Sequence, residues 1–408
     1  MTPECLRHHR EEGAVKRWVI VMASVMCQTA LGGIYAWSAF VPPLTTRYGL
    51  SSARCSLLFG AMIATFTITT IPAGRLLLRY GPRRIASAGA ILFAIGYLIA
   101  SYSEGSFVQL LLGLGLVAGS GIGLAYVCPL SVGMAWFPRH RGLVTGVAVA
   151  GFGMGAILLS ALAERMLVHQ DVLVVLRQVG LILGALALCG ALVLSLPPTG
   201  MSPHAHQGDG SSPRLRSLRF TLICLGMFAG TFAGLLIAGH LVPLAQDLGR
   251  SPAQATMGIW LFAIGNTCGR LGWGEIHDLF GARRTILCSL ASLALPLVLL
   301  LLFPQPDLIP VLTIAIGLGF GACFVVYAAA VADIFGPEAL PRLYPICFTG
   351  YGLAALAGPT IGGWIKDTQG SYLPAIALCA TVVLVAMAVI TASFRRHSWH
   401  ERRTVESG

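Results

Sequence analysis

The chain has 408 residues, of which 56% are hydrophobic and 11% charged. Soluble globular proteins carry about 25% charged residues and disordered chains are richer still in charge, so both classes are excluded. The net charge of +11 does not imply nucleic acid, because its 27 Lys and Arg are sorted by loop and not gathered into one patch.

A membrane-spanning helix needs about 20 apolar residues, and the chain offers twelve such stretches. A polar tail, 1–17, precedes six of them: 18–41, 54–74, 84–103, 107–136, 142–166 and 174–196. The stretch 197–218, rich in Pro, Gly, Ser and His, reads as a linker. Six more spans follow at 219–243, 253–276, 284–304, 308–335, 342–364 and 371–394, then a tail, 395–408. The expected fold is an all-α integral membrane protein with six-helix bundles over 18–196 and 219–394. Helices satisfy their own backbone hydrogen bonds in lipid, and the 49 glycines and 22 prolines suit packed transmembrane helices.

Twenty of the basic residues fall on one side of these spans, including Arg75, Arg83, Arg283 and both tails, and six fall on the other. The positive-inside rule then makes both termini cytoplasmic in a cell membrane. The segment before Trp18 is charged and has no short apolar run with a cleavage site, so no signal peptide is expected. Eleven scattered cysteines with no CxxC pair read as core residues. His204 and His206 in the linker read as a solvated loop, so neither metal nor cofactor is expected.

The halves repeat at an offset of about 200. Gly74-x3-Leu78-x2-Gly81-x-Arg83-Arg84 matches Gly274-x3-Asp278-x2-Gly281-x-Arg283-Arg284, and Pro43-Leu44-x4-Gly49 matches Pro243-Leu244-x4-Gly249. Gly151-Phe152-Gly153 matches Gly350-Tyr351-Gly352. A parallel six-plus-six repeat is the sequence sign of a two-lobed transporter with its site between the lobes.

With these motifs the chain resembles the major facilitator superfamily over nearly its whole length. The Gly-x3-Asp-x2-Gly-x-Arg-Arg loop is similar to that superfamily's signature, with Gly74, Arg83, Asp278, Gly281 and Arg283 as gating residues; Leu78 replaces the Asp in the first copy. Gly32-Gly33-Ile-Tyr35-Ala-Trp37-Ser38 and Trp136-Phe137-Pro138-Arg139-His-Arg141-Gly142 resemble the monocarboxylate transporters and oxalate/formate antiporters.

One basic residue is left inside a span, Arg270. Arginine at a helix centre costs about 2.5–3.5 kcal/mol on insertion scales, so it needs a compensating role. Its planar fork matches a carboxylate, and Asn266, four residues earlier, shares its helix face. The competing reading has Arg270 snorkel to the surface and pair with Glu275 or Asp278. The resemblance adds that an arginine in this span binds the substrate carboxylate in both groups. It also implies three departures: Asn266 stands where many monocarboxylate transporters have Asp, Ala39 lies near where they have a Lys, and Tyr351 stands where the oxalate/formate antiporters have a second cation. One fixed charge balances a monoanion.

Tyr126, Tyr327 and Tyr351, with Tyr35 and Phe152, are candidate walls of the cavity. His240, read as the one histidine within a span and near its outer mouth, is the candidate proton site; the alternatives are a hydrogen-bonded interfacial histidine and a substrate that carries the proton itself. The expected function is a proton-coupled symporter of lactate- or pyruvate-type monocarboxylates, working as a monomer. Oxalate/formate-type exchange is the nearest alternative. An intramembrane hydrolase lacks a matched Ser-His or Asp pair, and a non-transporting receptor commonly adds a long cytoplasmic domain.

Overall fold

The computed structural model describes residues 3–137, 141–197, 217–336 and 340–396. Most of the linker, Pro138–Arg139 and the end of the C-terminal tail lie outside the described residues. Helix α1 (Pro3–Gly32) tightens into a 3-10 winding over Gly33–Phe40 and ends with helical turns Val41–Tyr48. Then come α2 (Ser52–Tyr80), α3 (Pro82–Ser101), α4 (Phe107–Trp136), α5 (Arg141–Leu167) and α6 (Val172–Val193). The second half holds α7 (Leu218–Asp247), α8 (Pro252–Leu302), α9 (Pro306–Phe335), α10 (Leu340–Gln369) and α11 (Leu373–Arg396). Ten helices among the described residues are long and apolar enough to cross a membrane. No strand occurs among them.

Each expected span coincides with a helix, although 84–103, 174–196, 284–304 and 371–394 overrun the helix ends by two or three residues, and two differences are larger. Helix α1 begins at Pro3, inside the expected tail. The spans 253–276 and 284–304 belong to one 51-residue helix, α8, broken only at Gly281. The charges Asp278, Arg283 and Arg284 made that region look like a loop, whereas the backbone turns at a single residue. Gly281 has φ 70 and ψ 167, and its repeat partner Gly81 has φ 82 and ψ 159. Only glycine adopts that region without steric cost. The signature loops therefore turn alike in both halves.

Helix starts are also legible. Ser51 caps α2 and Ser251 caps α8 in a capping box with Gln254, again 200 residues apart. These caps lie on the far face, defined by the turns after α1, α3, α5, α7 and α10. The near face carries residues 80–82, 193–218 and 396.

The halves meet mainly from the far face to mid-depth. Asp367 on α10 accepts hydrogen bonds from the Ser52 and Ala53 backbone amides, both at 2.9 Å. A carboxylate at a helix N-terminus meets unpaired amides and the positive end of the dipole. Deeper, the backbones nearly touch: a Cβ at Gly60 would lie 2.2 Å from the Ala355 carbonyl oxygen. Trp260 donates to Ser160 at 2.8 Å, and the Tyr35 and Tyr351 hydroxyls pair at 2.9 Å. The cross-half side-chain hydrogen bonds between described residues all lie between the far face and that tyrosine pair.

Two substitutions on α8 are expected to act in opposite directions. Gly281→Ala places a Cβ at positive φ and destabilises by about 1–3 kcal/mol. Gly272→Ala, where a Cβ meets nothing within 4 Å, stabilises by up to about 1 kcal/mol. Thermal unfolding of the purified protein in detergent measures both.

Candidate functional site

Arg270 is 5% exposed, near the middle of the first part of α8. It does not snorkel: among the described residues it pairs with no carboxylate. Its Nε donates to Asn266 Oδ1 at 3.1 Å, and its guanidinium carbon sits 4.1 Å from the centre of the Phe324 ring. Arginine has only donors, so Asn266 must turn its oxygen to Arg270 and its amide nitrogen away. That leaves two buried donors without partners, Arg270 Nη1 and Asn266 Nδ2.

The magnitudes show that this compensation is incomplete. A desolvated cation–π contact contributes about 2 kcal/mol and a hydrogen bond to a charged group about 1.5–3. Each unsatisfied buried donor costs about 1–3 kcal/mol, more when charged. A partner that accepts from both donors would remove the remaining penalty, and a carboxylate has that chemistry.

The surroundings are aromatic and come from both halves. Tyr35 packs edge-on against Phe152 and Phe320, each at 5.7 Å. Phe66 meets Tyr126 at 5.0 Å, Phe152 at 6.0 Å and Tyr351 at 6.4 Å. Phe324 meets Tyr351 at 5.2 Å on the Arg270 side. Tyr35 and Tyr126 stand close enough to the guanidinium for their hydroxyls to interact with it directly, and Tyr351 lies within its electrostatic reach. The Asn266 amide faces the first half as well, 3.9 Å from where a Gly153 Cβ would stand.

Two local irregularities build this arrangement. Tyr35 lies in the 3-10 winding of α1. Phe324 lies where α9 is interrupted, between helical stretches Ile309–Ala322 and Val326–Phe335. Short departures from α-helix commonly mark functional positions.

The structure thus brings together Arg270, Asn266, Tyr35, Tyr126, Tyr351 and Phe152. It does not bring Tyr327 to them. The break before Val326 changes the helical phase, and Tyr327 turns into the second half, 2.8 Å from where a Gly226 Cβ would lie. His240 is also elsewhere. It sits in the far-face seam, and instead of lining an outer mouth it is fully buried against Ser56 and Tyr372.

Gly74, Arg83, Asp278 and Arg283 lie exposed at the near-face ends of their helices. Behind them stands a histidine the sequence reading assigned to no span: His277, within α8, holds Asp333 of α9 at 2.7 Å. The sequence reading also passed over Phe66, Phe320 and Phe324. Their one signal was the i, i+4 spacing of Phe320 and Phe324 after a glycine run.

A family model for the Major Facilitator Superfamily matches residues 20–238 and 220–407. The Oxalate:formate antiporter of Oxalobacter formigenes is 25% identical over 385 residues, covering 92% of this chain and 91% of its own. Monocarboxylate transporter 13 of Bos taurus is 26% identical over 381 residues, 91% of this chain and 88% of its own. An uncharacterized MFS-type transporter of Escherichia coli is 24% identical over 350 residues, 83% of this chain and 86% of its own.

Asn266→Asp supplies the guanidinium with a carboxylate of its own. The empty protein should gain about 1.5–3 kcal/mol from the charged hydrogen bond. Its thermal midpoint should rise, and added acetate, expected to raise the wild-type midpoint, should no longer do so. Scanning fluorimetry with and without acetate tests both.

Proposed function

Because the chain belongs to the major facilitator superfamily, we propose that it is a secondary transporter that moves a small monocarboxylate of the lactate or pyruvate type together with a proton. The observation that carries this reading is the pair of unpartnered donors, Arg270 Nη1 and Asn266 Nδ2, inside an aromatic enclosure shared by both halves. The guanidinium takes one carboxylate oxygen, the Asn266 amide takes the other or a neighbouring oxygen of the substrate, and the rings size the cavity. Tyr327 has no part in it.

Charge count selects a monoanion. Arg270 is the only cation at the site among the described residues, and Tyr351 bonds Tyr35 at 2.9 Å. A dianion would leave one charge unpaired among apolar rings, at a cost of several kcal/mol. Oxalate/formate-type exchange, the activity in one relative's name, is the second reading and is weaker for this reason.

The cycle is alternating access, with bundles 18–196 and 219–394 rocking about the site. The near face is taken as cytoplasmic, a reading that the loop charges support. On that orientation the far-face contacts support a state closed to the outside. No carboxylate stands beside Arg270 among the described residues, and the proton acts at His240, a histidine in the seam between the halves.

Uptake of labelled lactate into proteoliposomes under an inward proton gradient tests the reading. Arg270→Ala is expected to lose about 100-fold or more, the usual result of removing one member of a buried charge pair. Arg270→Lys keeps the charge but not the fork and should chiefly raise KM. Wild-type rates in Arg270→Ala would refute the site. Uptake driven by trapped oxalate, and not by the proton gradient, would move the reading to exchange.

A further inference from the structure

Helices α5 and α8 touch across the halves at one glycine. A Cβ built on Gly153 would stand 2.6 Å from Thr267 Oγ1 and 3.9 Å from Asn266 Nδ2, so two polar atoms of α8 converge on the space this glycine leaves open. Gly153 follows Phe152, whose ring packs on Tyr35 and Tyr126 in the wall of the enclosure. Thr267 Oγ1 is buried without a hydrogen-bond partner, as is Asn266 Nδ2 beside it.

The repeat supplies the comparison. Thr67 of α2 and Gly352 of α10 occupy the places of Thr267 and Gly153. They too meet across the halves: a Cβ on Gly352 would stand 3.4 Å from Thr67 Cβ and 3.6 Å from its Oγ1. There the hydroxyl is occupied, because Thr67 Oγ1 donates to the Ile63 carbonyl oxygen at 2.8 Å. Bonding back to the carbonyl four residues earlier is the usual resort of a threonine within a helix. Phe66 and Thr70 stand where α8 has Asn266 and Arg270. The glycine–threonine contact thus forms with its hydroxyl satisfied where no cation stands, and with its hydroxyl free beside Arg270. Packing of the halves does not account for that difference.

The acceptors around Arg270 give the free hydroxyl its chemistry. Asn266 Oδ1 is taken by Arg270 Nε at 3.1 Å, and the Tyr35 and Tyr351 hydroxyls pair at 2.9 Å. Tyr126 faces the guanidinium. The unpartnered donors, Arg270 Nη1 and Asn266 Nδ2, suit oxygens that accept. A hydroxyl oxygen has two lone pairs whichever way its own hydrogen points, so Thr267 Oγ1 can accept as well as donate. It complements a ligand group that has a hydrogen to give.

We propose that Thr267 reads the substituent on the carbon next to the carboxylate, so that the site takes 2-hydroxy acids in preference to 2-oxo acids. This rests on the carboxylate site at Arg270 and narrows its substrate class. The carboxylate meets Arg270 Nη1. The 2-hydroxyl oxygen accepts from Asn266 Nδ2, and its hydrogen goes to Thr267 Oγ1. A 2-oxo group also accepts from Asn266 but has nothing to donate to Thr267. An ammonium in the same place is repelled by the guanidinium.

Titration calorimetry of the full chain in detergent at pH 7, where lactate and pyruvate are both anions, tests the assignment. The wild type should bind lactate about three- to tenfold more tightly than pyruvate, the worth of one neutral hydrogen bond. Thr267→Val keeps the branched shape that packs on Gly153 and removes the oxygen. It should weaken lactate by that factor and leave pyruvate unchanged. Thr267→Ser should keep the preference, and so should Thr67→Val, the same change at the repeat-related contact.

Wild-type affinities that are equal, or higher for pyruvate, overturn the proposal. So does a Thr267→Val variant that weakens both acids alike. If that variant does not fold, the lactate-to-pyruvate ratio of Thr267→Ala decides in the same way. Failure of the carboxylate site looks different: neither acid binds the wild type, or Arg270→Ala binds both as tightly as the wild type does. The hydroxyl subsite then falls with it, whereas loss of the preference alone leaves the carboxylate site standing.

Discussion

A guanidinium with no counter-ion among the described residues, buried near the middle of a membrane-spanning helix, is the constraint on which the rest of this molecule turns. Arg270 cannot shed its charge, and its resident neighbours, Asn266, the Phe324 ring and the Tyr35 and Tyr126 hydroxyls, satisfy it only in part, leaving Nη1 without a partner. Everything nearby is arranged so that the deficit persists. No carboxylate lies beside it among the described residues. Its neighbours are phenols and phenyl rings that shield it from lipid without neutralising it. Such a site is costly for folding, and on the proposed function the incoming carboxylate completes it.

The same constraint explains why the helices are irregular where they are. A uniform α-helix would carry Tyr327 and Phe324 on nearly one face, three residues apart. The interruption between Ala322 and Val326 separates them, sending Phe324 under Arg270 and Tyr327 into its own half. The 3-10 winding of α1 likewise sets Tyr35 against Tyr351. The tyrosine pair joins the halves beside the cation, so occupancy of the site and contact between the halves share atoms.

Much of this was legible in the sequence because it depends on composition and periodicity. The spans, the repeat and the stranded arginine follow from apolar runs, an offset of 200 and one charge that no loop could claim. Asn266 followed from the spacing of four. What escaped depends on backbone phase and on contacts between distant segments. The helical break that displaced Tyr327 leaves no compositional trace beyond glycines. Phe66 joins the site only through packing across the halves. The continuity of α8 past Asp278 hid His277, since charges near a signature glycine look the same in a loop and in a bent helix.

On the proposed cycle, Phe324 and His240 solve complementary problems. The loaded site is neutral, because a carboxylate cancels Arg270, but a symporter must also return empty with its cation bare. A cation–π contact of about 2 kcal/mol is too weak to compete with a carboxylate, yet it recovers much of the 2.5–3.5 kcal/mol that a lone arginine costs at mid-membrane. Phe324 therefore serves as a stand-in partner that lowers the barrier to empty return without blocking the substrate. Direction must then come from elsewhere, since this compensation is the same for either orientation. The far-face seam supplies an asymmetry: its contacts, Ser56 with His240 at 2.7 Å and Asp367 with the Ser52 amide at 2.9 Å, join the halves on one face only and so count towards one orientation alone.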